Sequence, residues 1–297
     1  MQLRNKPTRI PIENILLVTD GAPWDNVAVL YGIDLAREYV ARLQVIHAVS
    51  ASLQKRILEV DSLYGRRPEE KSFVGRRTVE RERLPIVLLQ ALDPNHFDLV
   101  IAASSRESDR KGLGEIVERI LFAVDCPVIV LGPGIPGNEV LRAKPRTILY
   151  ATDFSRQSFN AARHAFCWAQ QHQAWLAMLH VVEGVRRSAL SAPDSFAEPF
   201  RGWMEELVPG DLELWAEVDH RIEFGEVSEM ILSTAQKLYA DLIVLGANSL
   251  EHVGETAVSA NTKQVLLRAD CPILLVRQPM ASRYSLTAEQ KHELVAA

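Results

Sequence analysis

Two aspartates close matching phrases in this chain, Asp20 in NILLVTDGA and Asp153 in TILYATDFS. Each follows a threonine at the end of a short apolar run. A carboxylate placed there can accept hydrogen bonds from a ligand, or it can cap the turn or helix that follows. The residue types alone leave both uses open. His47 and His180 occupy matching places downstream, where a duplicated structural histidine is the favoured reading over a ligand-binding pair. His164 and His172 lie eight residues apart on one expected helix, about 12 Å along its axis, too far to share a metal without other ligands. No metal is therefore expected. Cys126, Cys167 and Cys271 make no disulfide framework and are expected to be buried free thiols. No nucleophile–base–orienter set is present, so no catalytic residue is assigned. GLGEIV from Gly112 lacks the third glycine of a dinucleotide fingerprint and follows the wrong strand.

The elements that must position these residues are written twice. Asp153 follows Asp20 by 133 residues, and at the same offset AWLAMLHVV from Ala174 lies over ARLQVIHAV from Ala41. FDLVIAA from Phe97 matches ADLIVLG from Ala240 at an offset of 143, and DCPVIVL from Asp125 matches DCPILLV from Asp270 at 145. Collinear matches that change register only between elements mean a duplicated domain of about 140 residues, not a solenoid. The expected division is residues 1–138, residues 139–282 and a tail over 283–297, with the Gly/Pro-rich GPGIPGNEVLRAKP between the halves. In each half buried-strand runs alternate with helical spacing, which calls for a parallel sheet covered on both faces. Such sheets keep ligands outside the carboxyl ends of their strands, where Thr19-Asp20 and Thr152-Asp153 stand.

A net charge of −5, with 47% apolar and 24% charged residues, fits a soluble cytoplasmic protein and disfavours a nucleic-acid surface. No run is long enough to span a membrane. RRPEEKSFVGRRTVERER from Arg66 mixes charge signs and is expected as a solvated loop or helix. The tail carries a capping-box pattern, Thr287-x-x-Gln290, and is expected to form a short helix.

ILYATDFSRQSFNAARHA, LHVVE, DLIVLGANS and DCPILLV together resemble the universal stress protein domain, and the resemblance covers almost the whole chain twice. It implies an α/β fold of two tandem doubly wound domains about a pseudo-two-fold axis. Each would be a five-stranded parallel sheet in the order 3-2-1-4-5 with helices on both faces. The last strands, Val128–Leu131 and Ile273–Val276, would pair antiparallel as an internal pseudo-dimer that covers two apolar edges. Members of the family that bind ATP carry Gly-x2-Gly-x9-Gly-Ser/Thr after the fourth strand. The second half keeps this spacing as Gly246-x2-Ser249-x9-Ser259, with Ala260 at the hydroxyl position. The first half keeps Gly114 but follows it with Glu115, a carboxylate where a phosphate would lie. Arg106, Arg110 and Lys111 nearby read as solvated surface more readily than as an anion site. The resemblance also implies that Thr152-Asp153 or Asp20 would meet the adenosine part, and that the backbone of Val182 or Val49 would meet adenine.

These features point to a non-catalytic stress-response or ligand-binding protein with degenerate nucleotide sites, acting through protein partners; a homodimer stays open. The first alternative is an ATP- or AMP-binding switch with weak ATPase activity in the second half, which makes ATP the candidate ligand there. A further alternative is a lipid-like ligand near the Ser50–Pro85 segment.

Overall fold

The computed structural model describes residues 10–19, 25–49, 74–80, 97–103, 117–118, 120–121, 124, 126–136, 140–185, 187–208, 218–247 and 258–277. Asp20, Arg106, Arg110, Lys111, Gly114, Ser249 and the tail lie outside the described residues.

The strands are β1 (Asn14–Thr19), β2 (Arg42–Val49), β3 (Val74–Glu80), β4 (Leu99–Ala103), β5 (Val128–Leu131), β6 (Thr147–Ala151), β7 (Trp175–Val182), β8 (Asp219–Phe224), β9 (Leu242–Ala247) and β10 (Ile273–Arg277). They form one ten-stranded sheet in the order β3-β2-β1-β4-β5-β10-β9-β6-β7-β8. Each half thus has the order 3-2-1-4-5, with parallel neighbours throughout, as the family resemblance implied. Among the described strands, β5 and β10 join the halves as the one antiparallel pair, with Ile273 opposite Val130, Leu274 opposite Ile129 and Leu275 opposite Val128.

The apolar runs become strands because both faces of the sheet are covered; β1, β4, β5 and β10 are buried along almost their whole length. Helices α1 (Asp25–Tyr39), α2 (Arg156–His172) and α3 (Pro193–Leu207) pack on one face. Helices α4 (Val227–Leu238) and α5 (Ala260–Arg268) pack on the other. Each face carries one core that runs across both halves. Ile15, Leu17, Leu43 and Ile101 share a cluster with Ile148, Tyr150, Leu176 and Val244, and alternate strand residues form the other cluster.

The duplication persists in local chemistry. Asp98 accepts from the backbone N–H groups of Glu13 and Asn14 at 2.8 and 2.9 Å. Its counterpart Asp241 accepts from Arg146 and Thr147 at 2.7 and 3.1 Å. Val40 and Gln173, the residues after α1 and α2, both take left-handed backbone angles, φ 56° and 54°. That ends each helix in the same way.

Two expectations need correction. Part of the charged stretch after Arg66, Val74–Glu80, is a strand and not a loop or helix: it is the edge of the sheet, pairs with β2 and buries Val79. An edge strand is where a sheet tolerates a dense run of charges, so mixed charge there masked a strand. Cys126 is half-buried, whereas Cys167 and Cys271 are buried; none of the three is in a disulfide. Cys126 lies just before β5, outside the covered span of the strand.

Candidate functional site

The carboxyl end of β6 carries a connected set of polar contacts. Thr152 is buried there, and its hydroxyl donates to Ser158 Oγ at 3.1 Å while accepting from the N–H of Phe154 at 3.1 Å. Ser158 Oγ donates onward to the carbonyl of Ser155 at 2.9 Å. Ser155 is the N-cap of α2, its Oγ accepting from the N–H of Ser158 at 3.2 Å. Asp153 Oδ1 accepts from the N–H of Ser155 at 2.9 Å, the local turn expected of an aspartate that precedes a helix. Partial burial would push the Asp153 carboxyl up, but hydrogen bonds from Ser155 and Ser158 outweigh it and hold it below the ordinary value. The carboxylate is ionised at neutral pH and lies at the exposed mouth.

Phe154 has φ 59°, a left-handed angle that is costly for a bulky side chain. The turn holds it there through Thr152, and its ring lies 4.6 Å from the ring of His180. His180 Nδ1 donates to the carbonyl of Thr152 at 2.9 Å, which leaves Nε2 as an acceptor in the neutral ring. Burial lowers the His180 pKa, against the opposing pulls of the Thr152 carbonyl and the Asp153 charge, so the ring is neutral at pH 7. In the first half His47 Nδ1 instead pairs with the hydroxyl of Thr19 at 2.9 Å.

Helix α3 supplies the rest of the mouth. Phe200 stacks on His180 at 4.8 Å and 25°, and Trp203 meets both Phe154 and Phe200 edge to face at 5.5 and 5.4 Å. Phe196 links Phe200 to Phe224 of β8, each at 6.1 Å. Trp203 and Phe196 keep 50% and 41% of their surface exposed, so the result is an aromatic shelf open to solvent. Phe196, Phe200 and Trp203 stand at i, i+4 and i+7, a helical stripe visible in the sequence. It fell outside the repeat matches, and no motif pointed to it.

The other candidate residues have local partners. A Cβ added to Gly246 would lie 2.6 Å from the carbonyl carbon of Gln157 and 2.7 Å from Ser158 N. The first turn of α2 therefore needs glycine at this position, whatever a ligand needs. Ser259 is the N-cap of α5, accepting from the N–H of Thr262 at 3.1 Å. Its contacts stay within that helix start and do not join the Thr152–Ser158 set. Val182 closes β7, and its carbonyl accepts from the N–H of Gly225 at 3.2 Å. Val49 ends β2 beside β3. Among the described residues there is no group of three or more His, Cys, Asp or Glu placed to hold a metal, and no helix is long and apolar enough to cross a membrane.

Comparisons with known proteins agree on one family. The model of the universal stress protein family matches residues 144–277. A universal stress protein of Thermus aquaticus is 34% identical over 145 residues, covering 44% of this chain and 98% of the relative. Among solved structures, a universal stress protein of Archaeoglobus fulgidus DSM 4304 covers 89% of this chain and 98% of its own, with a TM-score of 0.57 at 17% identity. A Pseudomonas aeruginosa UCBPP-PA14 protein assigned to the same family covers 96% of this chain and 98% of its own, with a TM-score of 0.62 at 18% identity. At these identities the structures speak for the fold alone.

Proposed function

Because the chain belongs to the universal stress protein family, we propose that it is a non-catalytic stress-response protein of the cytoplasm that binds a ligand at the mouth of its second half and no longer depends on ATP. The observation that carries this reading is the commitment of the polar groups to the fold. Gly246 is taken up by α2, Ser259 caps α5, and the hydroxyls of Thr152, Ser155 and Ser158 hold one turn together. A triphosphate needs donors free to turn to it, and among the described residues the hydroxyl protons of Thr152 and Ser158 are already given to Ser158 Oγ and the Ser155 carbonyl. What the mouth offers instead is ring surface: Phe154, Phe200 and half-exposed Trp203 around a neutral imidazole. That surface suits a flat apolar group. It supports an apolar ligand on α3; most of the Ser50–Pro85 segment, where a lipid-like ligand was the other alternative, lies outside the described residues.

The test is titration of the aromatic amphiphile 8-anilinonaphthalene-1-sulfonate, read as quenching of tryptophan emission in wild type minus Trp203→Phe. Saturable quenching that Phe200→Ala weakens at least threefold is the expected result. A difference signal that stays flat to millimolar probe would overturn the apolar site.

The second reading is an ATP- or AMP-binding switch with weak ATPase activity. In its favour stands the ionised Asp153 carboxylate at the mouth of β6, where a nucleoside donor could meet it.

A further inference from the structure

The seam between the halves supports an inference that does not rest on the ligand reading. Leu274 lies opposite Ile129, its own counterpart in the repeat, and the flanking pairs of β5 and β10 are symmetric about them. The pseudo-two-fold axis therefore passes through this pair. In a symmetric dimer of identical subunits, residues close to such an axis meet themselves. Here they meet a counterpart that has been free to change.

Two counterpart pairs have diverged into complementary partners, and a third has diverged so that its two members do unlike work on the two sides of the seam. Tyr39 and His172 end α1 and α2, and the Tyr39 hydroxyl pairs with His172 Nε2 at 2.9 Å, the rings edge to face at 5.6 Å. His172 is buried at the seam, with Trp168 on one side and Glu38 Oε1 3.7 Å from its Nδ1. Glu118 and Lys263 also correspond, and Lys263 Nζ donates to Glu118 Oε1 at 3.0 Å. Gly132 and Arg277 are the third pair. Arg277 is buried and its guanidinium donates to the carbonyls of Leu121 and Val124. On the mirror side a Cβ on Gly132 would lie 2.1 Å from the carbonyl oxygen of Leu266, the counterpart of Leu121. One side of the seam requires an arginine's donors and the other excludes any side chain.

We propose that this surface fits only the unlike half: the first-half face accepts the second-half face and rejects another first half, and the second-half face likewise rejects its own kind. Two first halves would set Glu118 against Glu118 and leave the Leu121 and Val124 carbonyls without the guanidinium. Two second halves would set Lys263 against Lys263. Like charges at a shared seam are the usual repulsive element by which an interface refuses a partner. The fused chain is thus closed on itself along this edge, and a further protein partner has to bind elsewhere.

The test keeps the full chain and recreates the like pairs one at a time. Glu118→Lys and Lys263→Glu make lysine–lysine and glutamate–glutamate contacts; Tyr39→His and His172→Tyr do the same for the rings. The reciprocal swaps E118K/K263E and Y39H/H172Y restore unlike pairs in the opposite sense. Each single change is expected to lower the unfolding midpoint by about 2–4 °C, and each swap to recover at least half of the summed loss. Losses that merely add in the charge swap would overturn the proposal, as would single variants as stable as wild type. The Glu118–Lys263 pair is half-exposed, so its variants fold even if the buried ring variants do not.

Discussion

Replacing Gly246 with alanine puts a methyl group 2.6–2.7 Å from the backbone of Gln157 and Ser158. Real Cβ contacts are not found at such distances, and the obstacle is helix backbone, which cannot rotate away. Either β9 or the first turn of α2 must shift by several tenths of an ångström. Overpacking of this kind costs about 1–3 kcal/mol, and at about 2–4 °C per kcal/mol the midpoint should fall by at least a few degrees. The displaced turn is the one that seats Tyr150, whose hydroxyl donates to the Ser158 carbonyl at 2.7 Å, and Thr152 against Ser158 Oγ. The loss should therefore couple to Tyr150→Phe and be less than additive with it. Thermal unfolding followed by circular dichroism, in the absence of any ligand, measures both. A Gly246→Ala protein with an unchanged midpoint would refute the packing argument and return this glycine to a role in ligand binding.

Ser155→Ala removes the N-cap of α2 and should cost about 1 kcal/mol in urea unfolding; Ser155→Asp should retain most of that stability. Asp241→Ala strips the acceptor from two strand-start N–H groups, one of them part-buried, and should cost about 1–2 kcal/mol, more than Asp98→Ala, both of whose bonds are exposed; equal losses would contradict that difference in burial. Burial, helped by the Arg163 charge, lowers the His164 pKa to about 4. The unfolded chain binds that proton near pH 6.5, so stability is full above that pH and falls as the pH drops toward 4. The loss is on the order of 3 kcal/mol at most. His164→Gln should flatten that part of the profile in urea midpoints taken from pH 7 to 4.5.

The paired phrases made the duplication and the strand–helix alternation legible, because buried parallel strands are continuous apolar runs that survive divergence; the strand order within each half and the β5–β10 seam came from the family resemblance. The edge strand β3 was not legible: its residues, VGRRTVE, carry two adjacent arginines and a glutamate in place of a continuous apolar run, although Val79 is buried. The site was legible as a place but not as chemistry. Thr152 and Asp153 stand where the motif put them, yet the sequence does not say that Asp153 accepts from Ser155, or that Gly246 is held by Gln157. Such contacts depend on how α2 settles on β9. The aromatic shelf was overlooked for a different reason. Phe196, Phe200 and Trp203 form an ordinary amphipathic stripe in the sequence, and it is the exposure of Phe196 and Trp203 and the stacking of Phe200 on His180 that set them apart from core.

The most direct test of the central claim is calorimetric titration of ATP with Mg²⁺ into this protein, in parallel with Asp153→Ala. The account predicts no saturable heat up to millimolar ATP in either protein. Saturable binding in the wild type that disappears in Asp153→Ala would contradict it, and would make the second half a nucleotide switch.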